Sequence, residues 1–182
     1  MTEAEWHNST SVLDMLGFLR NGSGRARLRA RMSKHQCVQK LLIFSIGCCN
    51  RLSQLLVDPR SVAVLSAPAE MSDRQSESGY TDAIKSGSED AYRVLRRGDN
   101  VPLYTAACAV MELARFSGKD SFSHAIYIAD LAAQAKSYRQ VYGVDECRHE
   151  LDKAAYDSEK ALQANSLRGL LGNPFRSSSV VE

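Results

Sequence analysis

The sequence lacks a long apolar run. Its longest, LLIFSIGCC, falls far short of the roughly 20 residues that a membrane-spanning helix needs, so no association with a membrane is expected. It also lacks the marks of a secretory signal. The opening MTEAEW is acidic, where a signal peptide carries a basic stretch followed by an apolar one. Cysteine is scarce: the chain has five, an odd number, and no C-x-x-C pair. That excludes a disulfide framework and the usual zinc spacing, and the expectation is reduced thiols in a cytoplasmic protein. No G-x-S-x-G, P-loop, G-x-G-x-x-G or H-E-x-x-H motif occurs. No fixed-period repeat and no convincing strand alternation are visible either. Neither a catalytic residue, nor a cofactor, nor a metal site is therefore expected.

What is present fits one globular core. The chain has 182 residues, 44% of them hydrophobic and 24% charged, close to globular averages. Residues 1–175 are expected to form a single all-α domain, an irregular bundle of about six to eight helices, with residues 176–182 as a disordered tail. The net charge of +2 hides an asymmetry. Residues 1–60 carry nine Lys/Arg against four Asp/Glu, a net +5, and the rest carries 14 against 17, a net −3.

Helical periodicity dominates the chain. TEAE reads as a capping box, with Thr2 as N-cap and Glu5 reaching back to it. SVLDMLGFLR is a short amphipathic helix that stops at the turn-forming NGSG. From Val38, apolar residues recur at three- and four-residue spacing through Leu41, Leu42, Cys48, Cys49, Leu52, Leu55 and Leu56. Ile43, Phe44 and Ile46 widen that stripe, and the helix is expected at the centre of the fold. VDPR ends it and starts another, with Asp58 as cap and Pro59 at the first position. Residues 68–80 read as a Ser-rich surface loop. SEDAYRVLRRG is a helix capped by Ser88 and closed by Gly98. Pro102 opens a helix with a small-residue stripe. SFSHAIYIADLAAQAKSYRQVY carries two apolar stripes and should touch neighbours on two sides. The last and longest helix is expected to start at Asp145 and end at Gly172, where Pro174 bars continuation and Phe175 folds back as an aromatic plug.

Three features could carry chemistry. The vicinal Cys48 and Cys49, with Cys37 earlier, fall on the apolar side of the long helix and read as small core residues. Glu146 and His149 form an E-x-x-H pair, but neither His124 nor His35 has the second Glu that a di-iron bundle needs. The run RNGSGRARLRARMSKHQCVQK holds Arg20, Arg25, Arg27, Arg29, Arg31, Lys34 and Lys40 with no acid among them. Such a stripe can neutralise phosphates, although the alternating arginines do not share one helical face and no aromatic is interleaved for base stacking. An enzyme with a concealed site would have to bring together at least two of Cys108, Glu112, His124, Cys147 and His149 in a deep pocket.

TEAEW, MLGFLR, KLLIFSIGCCNRL, LVDPRS and LRGLLGNPFR, in this order, resemble a family of helical proteins from planctomycete bacteria. The resemblance is best over residues 1–66 and 163–176. It implies an all-helical fold and brings no activity and no functional residues with it. Two departures stand out. The family continues past GNPFR with a Trp-containing helical segment where this sequence stops at Glu182, and the basic stretch here is longer.

A good core without a chemical constellation points to a non-catalytic helical module that binds another protein, through an exposed apolar patch around Phe175. The alternative is nucleic-acid or anion binding through Arg25, Arg27, Arg29, Arg31 and Lys34.

Overall fold

A computed structural model describes residues 1–67, 80–142 and 147–176. The chain is an all-α bundle, with one small antiparallel hairpin among the described residues. In order, the elements are α1 Glu3–Asn8, α2 Val12–Arg20, α3 Gly22–Arg31, α4 Lys34–Asn50, a 3-10 turn at Ser53–Leu55, α5 Pro59–Ser66, α6 Asp82–Arg96, α7 Val101–Ala114 and α8 Ser121–Ser137. Strands β1 Tyr138–Tyr142 and β2 Cys147–Leu151 follow, and α9 Lys153–Leu171 ends the fold.

The starts of these helices follow from short polar side chains that satisfy otherwise orphaned backbone N–H groups. Thr2 Oγ1 accepts from Glu5 N at 3.2 Å, and Glu5 Oε2 accepts from Thr2 N at 2.6 Å. Ser33 and Gln36 build the same reciprocal box at the start of α4. Asp58 accepts from Arg60 N ahead of Pro59, as expected from VDPR.

Helix α8 is the hub, packing against α2, α4, α7 and α9. Its Ala125, Ala129, Ala132, Ala133 and Ala135 are buried, and such small side chains let four neighbours approach one helix closely. The cysteines of α4 behave as core residues: Cys37, Cys48 and Cys49 are buried, with Leu41, Leu42 and Phe44 beside them. One apolar cluster runs from Trp6 to Leu171. Each fully buried Leu or Phe in it contributes about 1.5–3 kcal/mol relative to exposure.

Four expectations are corrected. The segment read as the end of one helix and the start of the next is a hairpin, with Tyr138 opposite Leu151 and Tyr142 opposite Cys147. Consequently α9 starts at Lys153, not Asp145. Asp152 is its cap, accepting from Ala154 N at 3.0 Å and Ala155 N at 3.1 Å. Asp152 N also donates to Ser137 O at 2.8 Å, which closes the base of the hairpin and joins the ends of α8 and α9. Helix α6 starts two turns earlier than expected, at Asp82 with Thr81 as cap, and Ser88 lies buried inside it, its hydroxyl donating to Lys85 O. The long helix ends at Asn50, so Leu52 and Leu56 reach the core through the 3-10 turn, and Ile43 is 54% exposed, outside the buried stripe. The surface loop expected at residues 68–79, Glu146 and the disordered tail expected beyond residue 176 lie outside the described residues.

The turn after α9 meets the first two helices. Gly172 takes φ +72°, a left-handed conformation that only glycine adopts cheaply. Pro174 is buried, and Phe175 turns back to stack on Phe18 with centroids 5.5 Å apart and planes 6° apart. Asn173 Nδ2 donates to Glu3 Oε1 at 2.5 Å, and Arg168 Nη1 donates to Trp6 O and Ser9 O at 3.0 and 2.7 Å. The GNPF turn thereby fastens α1 and α2 to the end of α9.

Candidate functional site

From Arg25 to Lys40 the basic stretch folds as α3 and the first two turns of α4, and helical geometry divides the four arginines of α3 into two pairs. Arg27 and Arg31, four residues apart, share one side. Arg27 places its guanidinium carbon 4.6 Å above the Phe175 ring centroid, on the Phe175–Phe18 stack. Arg31 Nη1 donates to Asn173 O, and a Cβ at Gly172 would sit 3.1 Å from Arg31 Nη2. Lys40 Nζ donates to Leu170 O at 2.5 Å. Cations at the C-terminal end of α9 satisfy its last carbonyls and oppose its negative dipole end. Arg27, Arg31 and Lys40 are thus committed to holding the end of α9 and the turn after it. Phe175 is half-buried among them, engaged by Phe18 and Arg27. The exposed large apolar side chains, among them Leu13, Ile43, Val57 and Tyr127, belong to other elements.

Arg25 and Arg29 form the second pair. With Lys34 of α4 and Lys119 from the turn before α8, they rim an open cleft of about 530 Å3. Its floor is apolar: Leu28, Met32, Val38 and Phe122, with Cys37 beside them. All four rim cations are exposed. None of them makes an ion pair with a described residue, whereas Arg51, Arg60, Arg93 and Arg115 all do. The positive character is reinforced by the backbone. Helix α8 begins at the cleft wall, at Ser121. The side chain of its cap residue Asp120 accepts no hydrogen bond from the helix, although its backbone oxygen accepts from His124 N at 3.0 Å, and the first turn contains no acid.

Two of the predicted basic residues therefore face away from the cleft, into the clasp around Phe175, and three face the cleft. Lys119 and the floor residue Phe122 are added by the fold. The only sequence signal for Lys119 was its place between Gly118 and a helix start, and nothing in the sequence ties it to Arg25.

The residues that a concealed catalytic site would need are partly gathered. His124 Nδ1 lies 3.7 Å from Glu112 Oε2, and Arg115 bridges Glu112 at 3.3 Å to Glu89 at 2.7 Å. Cys108 stands one turn before Glu112. Burial, and then the charge of Glu112, raises its pKa, which keeps it a thiol and a weak nucleophile. His149 stands apart, on β2, beside Arg51 and Tyr138. The side chain of Cys147 lies outside the described residues. Burial also pushes Cys37 up to about 11, Cys48 up to about 12 and Cys49 well above its ordinary range. These thiols are packing groups. Among the described residues, no group of three or more His, Cys, Asp or Glu is placed to hold a metal ion, and no helix is long and apolar enough to cross a membrane.

Comparison of the chain with protein-family models, with curated proteins and with solved structures finds no match.

Proposed function

We propose that the protein is a non-catalytic binding module whose cleft between α3, α4 and the α7–α8 turn takes an acidic, amphipathic segment of another protein. The observation that carries this reading is the convergence of Arg25, Arg29, Lys34 and Lys119, unpaired with any described acid, over a floor of Leu28, Met32, Val38 and Phe122.

Magnitudes favour a peptide over nucleic acid. An exposed ion pair contributes about 0.2–1 kcal/mol, so four supply about 1–4 kcal/mol. Micromolar binding needs about 8 kcal/mol. The remainder has to come from apolar burial, at about 25 cal/mol per Å2, and only an occupant with apolar side chains can use this floor. A phosphodiester backbone would use the rim alone, and four phosphate contacts give weak, steeply salt-dependent binding.

The test is fluorescence anisotropy of a labelled acidic peptide that alternates Glu and Leu at helical spacing, with labelled duplex DNA as comparison. Saturable peptide binding that survives physiological salt, and that Arg25→Glu with Arg29→Glu abolishes, supports the reading. DNA binding stronger than peptide binding, or neither ligand binding at low salt, overturns it.

A further inference from the structure

A second cleft, remote from the cationic one, lies between α2, α8 and α9, with about 650 Å3 of open volume. Val12, Leu13, Ile126 and Ala129 form its apolar walls. Asp130, Tyr156, Lys160 and Gln163 are polar groups in its lining. Asp130 Oδ1 accepts the Tyr156 hydroxyl proton and Oδ2 accepts from Gln134 Nε2 at 2.8 Å, but Asp130 makes no ion pair with any described residue. Gln163 is 1% exposed, and its Nε2 donates to Ala129 O at 3.0 Å. Its Oε1 accepts no hydrogen bond from any described residue. The amide orientation is fixed by that Ala129 contact, because the reverse orientation would set two acceptors against each other. Lys160 lies on the same side of α9, with its ammonium 5.0 Å from the Tyr156 ring centroid.

Two opposite charges line this apolar cleft: the Asp130 carboxylate of α8, with no ion pair among the described residues, and the Lys160 ammonium of α9. We propose that this cleft binds a small zwitterion with an apolar body, the chemistry of a free apolar α-amino acid. Its ammonium donates to Asp130, its carboxylate accepts from Lys160, and its side chain packs on Val12, Ile126 and Ala129. An ammonium without a carboxylate would meet repulsion from Lys160, and a carboxylate without an ammonium would meet Asp130. Exposed Leu13 and Tyr127, at 55% and 48%, stand at the mouth and leave it open to solutes.

Isothermal titration calorimetry of the full chain with leucine, leucinamide, N-acetyl-leucine and the dipeptide Leu-Gly tests each contact separately. Leucine is expected to give a saturable one-site isotherm. Leucinamide and N-acetyl-leucine, each lacking one charge, and Leu-Gly, whose carboxylate is displaced, are each expected to bind about tenfold or more weakly. Asp130→Asn keeps an acceptor for Tyr156 and is expected to weaken leucine by a similar factor with the far-UV dichroism unchanged. Lys160→Met is a second variant, on a half-exposed side chain, with the same expected loss. Absence of binding by leucine, isoleucine and valine at millimolar concentration overturns the proposal, as does equal binding by both variants. Tighter binding of Leu-Gly than of leucine overturns it in favour of a peptide N-terminus.

Discussion

Two faces of one ten-residue helix carry the same residue type and serve different ends. On one face of α3, Arg27 and Arg31 lie against the GNPF turn and make a cation–π contact and a hydrogen bond to a backbone carbonyl. On the other face, Arg25 and Arg29 stand over an apolar cleft with no acidic partner among the described residues. The difference is not in the arginines but in what packs beside them. The end of α9 offers bare carbonyls and an aromatic ring, which a guanidinium satisfies. The α7–α8 turn offers another cation, Lys119, which it does not. A basic stretch can therefore be half structural and half free, and its net charge alone does not separate the two.

The comparison can be broken most directly from the structural side. Removing the ring in Phe175→Ala takes away the surface on which Arg27 lies and exposes Phe18. A fully buried Phe→Ala costs about 3–5 kcal/mol, and for this half-buried ring about 2 kcal/mol is expected, read by urea denaturation. A smaller contrast separates the arginines themselves. Arg31→Gln removes a charge-assisted bond to Asn173 O and should cost about 1.5 kcal/mol. Arg29→Gln, on the other face, should stay within about 0.5 kcal/mol of the unmodified chain. Equal losses in the two variants would erase the distinction between the faces.

The smallest expected effect is that of acid. The backbone hydrogen bond from Thr2, then that of its side chain, lowers the pKa of Glu5 in the helix that the clasp holds. A hydrogen bond from Arg115 lowers Glu89 in the same way, and one from Arg60 lowers Asp58. A carboxylate whose folded pKa is depressed adds stability that is fully present above its unfolded value and is lost as pH falls through the folded one. Stability should therefore be flat from neutrality down to the ordinary carboxylate range, about pH 4, and decline below it. The rim of Arg25, Arg29, Lys34 and Lys119 contains no acid. Anisotropy with an oligophosphate probe across this range should hold while melting temperature falls.

Much of the fold is written locally. Capping residues Thr2 and Asp58, the proline starts at Pro59 and Pro102, and the Gly172–Pro174 stop are each decided by one or two side chains and the backbone beside them, so they can be read without neighbours. The hairpin could not be read that way. Its strands are five residues each, too short for alternation to outweigh the apolar residues of α8 that lead into YRQVY with unbroken helical spacing. Tertiary pairing decides such segments. The start of α6 was misplaced for a related reason: Ser88 has the character of a cap, but its hydroxyl finds Lys85 O inside the helix, while Thr81 takes the cap position upstream. Of the cationic cleft, Arg25, Arg29 and Lys34 were legible as charge. Lys119 and Phe122 come from a distant part of the chain and only the fold brings them together. The orphaned acceptor of Gln163 leaves no trace in the sequence, because a buried glutamine and an exposed one are written with the same letter.

The central claim is that the basic stretch is divided between holding the fold and binding a partner. Its most direct test is anisotropy of the acidic Glu/Leu peptide on two double variants, Arg25→Gln with Arg29→Gln and Arg27→Gln with Arg31→Gln, both below their melting temperatures. The first should weaken peptide binding about tenfold or more, and the second should bind within about twofold of the unmodified chain. Equal weakening by both pairs, or weakening by the second pair alone, would contradict the division.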